Sequence, residues 1–136
     1  MRILESALYV QNLEEAAEFY ETVLGLERIA EVAGRHVFFR AGMGVLLLFD
    51  AHQTLQVPPE GARLPVPPHG ACGPGHLCFA ATADEMSDWH QRLAENGVEI
   101  EADFEWPQGG RSIYFRDPSG NSLEFAEPRI WGLPSE

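Results

Sequence analysis

The chain has 136 residues, 45% of them hydrophobic and 22% charged, a size and balance that give one ordinary domain or two very small units able to bury a core without staples. Nine Lys and Arg against 21 Asp and Glu leave a formal net charge of −12, which argues against nucleic acid and anionic membrane as partners, because both attract basic surfaces. No apolar run approaches the roughly 18 residues of a membrane helix, no secretory signal pattern opens the chain, and Cys72 and Cys78 are too few for a disulfide framework, so a cytoplasmic protein with reduced thiols is expected.

In chain order, a strand-like run from Ile3 to Val10 leads to Asn12, followed three residues later by Glu15, the polarity of a capping box. Leu13, Ala16, Ala17, Phe19, Tyr20, Val23 and Leu24 then keep helical spacing until Gly25. Strand candidates follow at Leu26 to Val32, Arg35 to Arg40 and Val45 to Asp50. Residues 51–74 hold six of the ten prolines and read as an extended linker that cannot continue a sheet interior. The plan then starts again: a strand from His76 to Ala81, a helix start at Thr82 and Glu85, apolar Met86, Trp89 and Leu93 until Gly97, and strands at Val98 to Phe104, Arg111 to Arg116 and Asn121 to Glu127.

The chain also matches itself. Residues 34–40 lie over residues 110–116 at an offset of 76, with Gly34, Arg35, Phe39 and Arg40 repeated outright. Carried on without a gap, this offset sets Leu47 over Leu123, Leu48 over Glu124 and Phe49 over Phe125. Self-similarity of this kind decides architecture before any local reading does. The expected organisation is α+β: a βαβββ module at 1–50, a linker at 51–74, a second βαβββ module at 75–130 and a tail at 131–136.

These features resemble the vicinal oxygen chelate superfamily, which includes glyoxalase I, extradiol dioxygenases, fosfomycin-resistance thiol transferases, methylmalonyl-CoA epimerase and bleomycin-binding proteins. Residues 5–10 with Leu13, Phe19-Tyr20 and Leu24-Gly25 match its opening. Residues 114–121 with Leu123-Glu124 match its closing and are the more specific pattern. The resemblance implies two modules whose sheets form a cup with the helices outside, and metal ligands from the first and last strands of each module. The matching positions are Glu5, Leu48, His76 and Glu124. Leucine does not coordinate, so the resemblance implies a three-ligand set of Glu5, His76 and Glu124, with Glu5 standing where the oxygenases and fosfomycin-resistance proteins carry a histidine.

Strand alternation is consistent with that set. Glu5 shares a face with Ala7 and Tyr9, His76 with Cys78 and Ala80, and Glu124 with Ser122 and Ala126, while Leu8, Val10, Leu77, Phe79, Leu123 and Phe125 face the helices. Carboxylate and imidazole donors suit one divalent ion such as Mn²⁺, Fe²⁺, Ni²⁺, Zn²⁺ or Mg²⁺. Glu124, Tyr114 and His69 are the candidate catalytic residues. Tyr114 shares the cup face with Ser112 and either meets substrate or bonds the wall. Arg116 on that face grips an anion or pairs with Asp117 at the strand end. His69, just before His76, is either a proton carrier over the cup or a solvated loop residue. Trp106 and Trp131 are candidates for an aromatic wall or a subunit contact, and Cys78 reads as a small apolar filler.

The leading reading is a divalent-metal-dependent enzyme that chelates a small oxygen-bearing substrate for lyase, isomerase, thiol-transferase or dioxygenase chemistry. The second is a metal-free protein that sequesters a drug or metabolite, for which an acidic chain suits a cationic ligand. The third is a structural or interaction module. The resemblance further implies a homodimer.

Overall fold

A computed structural model describes residues 1–135. The chain divides into two compact units, Met1–Pro74 and Gly75–Glu136, each built on a four-stranded sheet. Unit 1 runs β1 (Glu5–Tyr9), α1 (Leu13–Thr22), β2 (Glu27–Val32), β3 (His36–Ala41), β4 (Gly44–Phe49) and a short α2 (Ala51–Thr54). Unit 2 runs β5 (His76–Ala80), α3 (Ala83–Glu95), β6 (Ala102–Glu105), β7 (Arg111–Arg116), β8 (Ser122–Ala126) and a closing 3-10 turn (Pro128–Trp131). The sheet orders, β1-β4-β3-β2 and β5-β8-β7-β6, are identical. In each, the first strand pairs parallel with the last and the remaining pairs are antiparallel. This is the mixed α+β fold expected from the repeat.

Local chemistry places the helices. Asn12 accepts from the Glu15 amide to start α1, while Thr82 and Glu85 form a full reciprocal capping box at α3, each satisfying backbone donors that a helix leaves unpaired. Helix α3 stops at Gly97, whose φ of +69° lets Gly97 and Val98 donate back to Ala94 and Leu93 at 3.0 and 2.9 Å, a Schellman closure. Ala16, Ala17 and Tyr20 bury the inner face of α1 over Leu8, Val37, Phe39, Leu46 and Leu48. Met86 and Leu93 of α3 do the same over Ile113, Phe115, Leu123 and Phe125, with Trp89 stacked on Phe125 at 4.3 Å.

Three expectations need correcting. The segment 51–74 is not extended throughout: Asp50 accepts from the His52 amide and caps the four-residue helix α2. The strand expected from Val98 begins only at Ala102, although the Glu101 amide already bonds Tyr114 across the sheet at 2.8 Å. The third bears on the site. The offset of 76 holds along β3 and β7, but two residues join β3 to β4 where five join β7 to β8, so Arg40 pairs with Val45 and Arg116 with Ser122. From there the offset is 77, and the counterpart of Glu124 is Leu47, not Leu48. Leu48 pairs with Leu8 and is fully buried on the helix-facing side. Leu47 pairs with Ala7 on the face that carries Glu5 and Tyr9.

Candidate metal centre

In unit 2 the parallel pairing of β5 with β8 sets His76 beside Ser122 and Cys78 beside Glu124, and β7 sets Tyr114 opposite Glu124. Because paired residues share a face, His76, Cys78, Ser122, Glu124 and Tyr114 lie together on the side away from α3. His76 and Glu124 come within ion-pair range, with Nε2 at 3.3 Å from Oε2. The other ring nitrogen, Nδ1, lies 3.0 Å from the Ser122 carbonyl oxygen. A carbonyl oxygen only accepts, so Nδ1 carries a proton, and Nε2 is the nitrogen left to face the carboxylate. Holding one nitrogen on a backbone carbonyl while presenting the other is how metal-ligating histidines are oriented.

Glu124 is 5% exposed, and its Oε1 is buried with no hydrogen-bond partner. Leaving a buried carboxylate oxygen unpaired costs several-fold more than a neutral group would, so the oxygen is one for which a bound cation is the fitting partner. Cys78 on β5 and Tyr114 on β7 are the cross-strand neighbours of Glu124. Burial, and then the Glu124 charge, push Tyr114 up to about 12 and Cys78 up to about 12. Tyr114 is therefore a proton-bearing donor at neutral pH, and Cys78 is a protonated thiol rather than a nucleophile. Among the described residues no three His, Cys, Asp or Glu side chains gather as one cation site. The pair of His76 and Glu124 is what unit 2 supplies.

The neighbouring strand-end chemistry is structural. Arg116 grips Glu101 with two bonds of 2.7 and 3.0 Å, not Asp117 as the sequence suggested. Asp117 instead accepts from the amides of Ser119 and Asn121 and from the Asn121 side chain. Asn121, 1% exposed, accepts from the Gly75 amide through Oδ1 at 2.7 Å. The β7–β8 turn is thereby tied to the residue that precedes His76, which fixes where the histidine emerges.

At the equivalent positions unit 1 is apolar and aromatic. Leu47 stands where Glu124 stands, and Phe38 where Tyr114 stands. Phe38 stacks on His36 at 4.1 Å and meets Phe49 edge-on at 5.4 Å. Arg35 donates to Nδ1 of His36 at 2.7 Å, and burial, reinforced by the Arg35 charge, lowers the His36 pKa. His69 is half-buried. Its Nδ1 is 2.6 Å from the Tyr9 hydroxyl, its ring meets Phe49 edge-on, and its amide donates to Thr54 at 3.0 Å. Glu5 opens β1 in the same unit and is exposed. Sequence reasoning missed Tyr9 as the partner of His69 and Trp106 as the donor to Ser112 at 2.8 Å. Trp131 is 79% exposed.

A βαβββ module built twice, with donors on one face of the second copy and rings on the matching face of the first, defines the class. The chain belongs to the Glyoxalase/Bleomycin resistance protein/Dioxygenase superfamily, whose sequence model matches residues 2–125. A crystal structure of lactoylglutathione lyase from Agrobacterium tumefaciens is 40% identical, with a TM-score of 0.92 and 97% of each chain covered. Metallothiol transferase FosB from Staphylococcus haemolyticus is 27% identical over 116 residues, 85% of this chain and 75% of that protein. The fosfomycin resistance protein FosX from Listeria monocytogenes, 21% identical over 93% of each chain with a TM-score of 0.67, shares the fold. No helix of the described residues is long and apolar enough to cross a membrane.

Proposed function

We propose that the protein is a divalent-metal-dependent enzyme of this superfamily that takes a small substrate through neighbouring oxygens. The observation that carries the proposal is Glu124, buried at 5% exposure, with Oε2 3.3 Å from Nε2 of His76 and Oε1 without a partner. His76 and Glu124 are the ligands assigned to unit 2. The family resemblance supplies Glu5 as the third. A bound divalent ion supplies Lewis acidity toward substrate oxygens, and a three-ligand set leaves it positions for them.

The chain's own residues do the rest. Ser122 fixes the tautomer of His76. Tyr114, keeping its proton, donates a hydrogen bond to a substrate oxygen and favours charge that develops there. His69 has Nδ1 engaged by Tyr9 and offers Nε2 for proton transfer. Relatives named as a lactoylglutathione lyase and a metallothiol transferase support lyase or thiol-transferase chemistry over oxygen insertion. The same reading includes a homodimer, which light scattering on the purified protein tests.

Elemental analysis of untagged protein tests the metal. One equivalent of a divalent ion is expected in the wild type, with loss in His76→Ala and Glu124→Gln, and Glu5→Gln reads the third ligand separately. Stoichiometric metal retained in both unit 2 variants overturns the proposal.

A further inference from the structure

On the same face of unit 2 the rings of His76 and Tyr114 continue into Phe104 and Trp106, two rings that the chemistry above leaves unused. The His76 ring lies 6.2 Å from that of Tyr114 at an interplanar angle of 20°. Tyr114 lies 5.9 Å from Phe104 at 5°, and Phe104 lies 4.9 Å from Trp106 at 64°. Register explains the row: Phe104 pairs with Ser112 and Tyr114 with Ala102, so Phe104 and Tyr114 are diagonal neighbours within reach of each other. The indole N–H of Trp106 is bonded to the fully buried Ser112 hydroxyl, which locks that ring in place across the end of the row. Three near-parallel rings closed by a fourth turned away from them form a pre-organised surface, and Phe104 is 39% exposed on it.

Charge narrows the occupant. Arg116, on this face, is engaged by Glu101, and Glu124, which pairs with Tyr114 across the sheet, keeps Oε1 without a partner. The face therefore suits a flat, neutral group better than an anionic one, since an aryl ring stacks on aromatic neighbours without needing a counter-charge. We propose that this row is the subsite for a planar ring of the substrate: the protein takes a vicinal-oxygen compound bearing an aryl or similarly flat unsaturated group, its ring seated on Tyr114 and Phe104 against Trp106 and its oxygens toward His76 and Glu124. This assignment rests on the metal reading for the oxygen end, while the ring end stands on the geometry of Phe104, Trp106 and Tyr114.

Two neutral α-hydroxyketones that share their oxygens and differ by a phenyl ring, 2-hydroxyacetophenone and hydroxyacetone, test it by calorimetric titration of Mn²⁺-loaded and metal-free protein. The phenyl compound is expected to bind about tenfold more tightly, the size of one good aromatic contact. The ratio falls toward one in Phe104→Ala and in Phe104→Leu, which keeps apolar bulk on the strand but not the flat face, and returns in Phe104→Tyr. Equal affinities in the wild type, or an unchanged ratio in both Phe104 variants, overturn the subsite. Failure of the wild type to hold Mn²⁺ overturns the metal reading instead, and the ring preference is then decided by the same ratio on the metal-free protein.

Discussion

Nε2 of His76 stands 3.3 Å from Oε2 of Glu124 while Nδ1 of the same ring is held by the Ser122 carbonyl at 3.0 Å. One backbone contact thus decides which nitrogen meets the carboxylate, while the other carboxylate oxygen, Oε1, stays buried without a partner. Unit 1 shows the alternative solution at the equivalent position, where Leu47 fills the same place with no polar group to satisfy.

That contrast predicts a trade of stability against binding. Glu124→Leu removes a buried oxygen without a partner, so in chelator it is expected to raise the unfolding free energy by about 1–3 kcal/mol in urea titrations, the cost of an unsatisfied buried polar group. Added Mn²⁺ is expected to stabilise the wild type and leave Glu124→Leu unchanged, by mass action on the folded state. A less stable Glu124→Leu protein in chelator contradicts this account.

Asn121 links the β7–β8 turn to the start of β5 through Gly75 and Asp117. Asn121→Ala leaves the Gly75 amide and an Asp117 oxygen without these bonds, and a loss of about 2–3 kcal/mol is expected. Amide exchange should accelerate first at Gly75, ahead of the α3 amides. Uniform acceleration across unit 2 would mean that the bond has no local anchoring role.

Tyr9 holds the end of the proline-rich segment through His69. Tyr9→Phe keeps the ring and deletes the hydroxyl, which removes about 1 kcal/mol of local stability. The His69 amide, bonded to Thr54, is expected to exchange about fivefold faster, with the melting midpoint of unit 2 unmoved. Unchanged exchange at His69 would place the anchor elsewhere.

Asp103 and Glu127 are two of the carboxylates that couple unit 2 to pH. The Asp103 carboxyl is held below its ordinary 3.8 by hydrogen bonds from Arg111, and Glu127 is held below its ordinary 4.5 first by Arg129 and also by the Arg111 amide. Depressed folded-state values mean that the unfolded chain takes up protons first on acidification. Their contribution is therefore complete above the ordinary values and is lost as pH falls below about 4.5 through the lower folded values. Asp103→Asn and Glu127→Gln should each flatten the acid limb of stability against pH while lowering stability at pH 7. An acid limb as steep as in the wild type would assign the loss to other groups.

Much of this fold was legible because its signals are local or periodic. Helix starts at Asn12 and Thr82 depend on side chains three residues apart, and the sharing of faces by Glu5 with Tyr9, His76 with Cys78, and Glu124 with Ala126 follows from the two-residue period of a strand. The repeat fixed the plan of two equal modules. The register was not legible: a longer turn before β8 moves the counterpart of Glu124 from Leu48 to Leu47, and in a strand a shift of one residue exchanges the faces. The partners of side chains were equally hidden. Arg116 chooses Glu101 over adjacent Asp117, His69 chooses Tyr9, and Trp106 chooses Ser112, each by proximity across strands or along a folded-back segment.

Residue types, spacing and self-similarity by themselves determined the repeated βαβββ plan and the strand faces that His76 and Glu124 share, because those follow from chain-local geometry, while the family resemblance was what pointed to these two residues as donors. Tertiary structure alone decided that Glu124 is buried with one oxygen unpaired, that His76 presents Nε2, and that Phe104, Tyr114 and Trp106 line up beside them. Burial and hydrogen-bond completion depend on which strands become neighbours and in what register, a property of the packed sheet that no single segment carries.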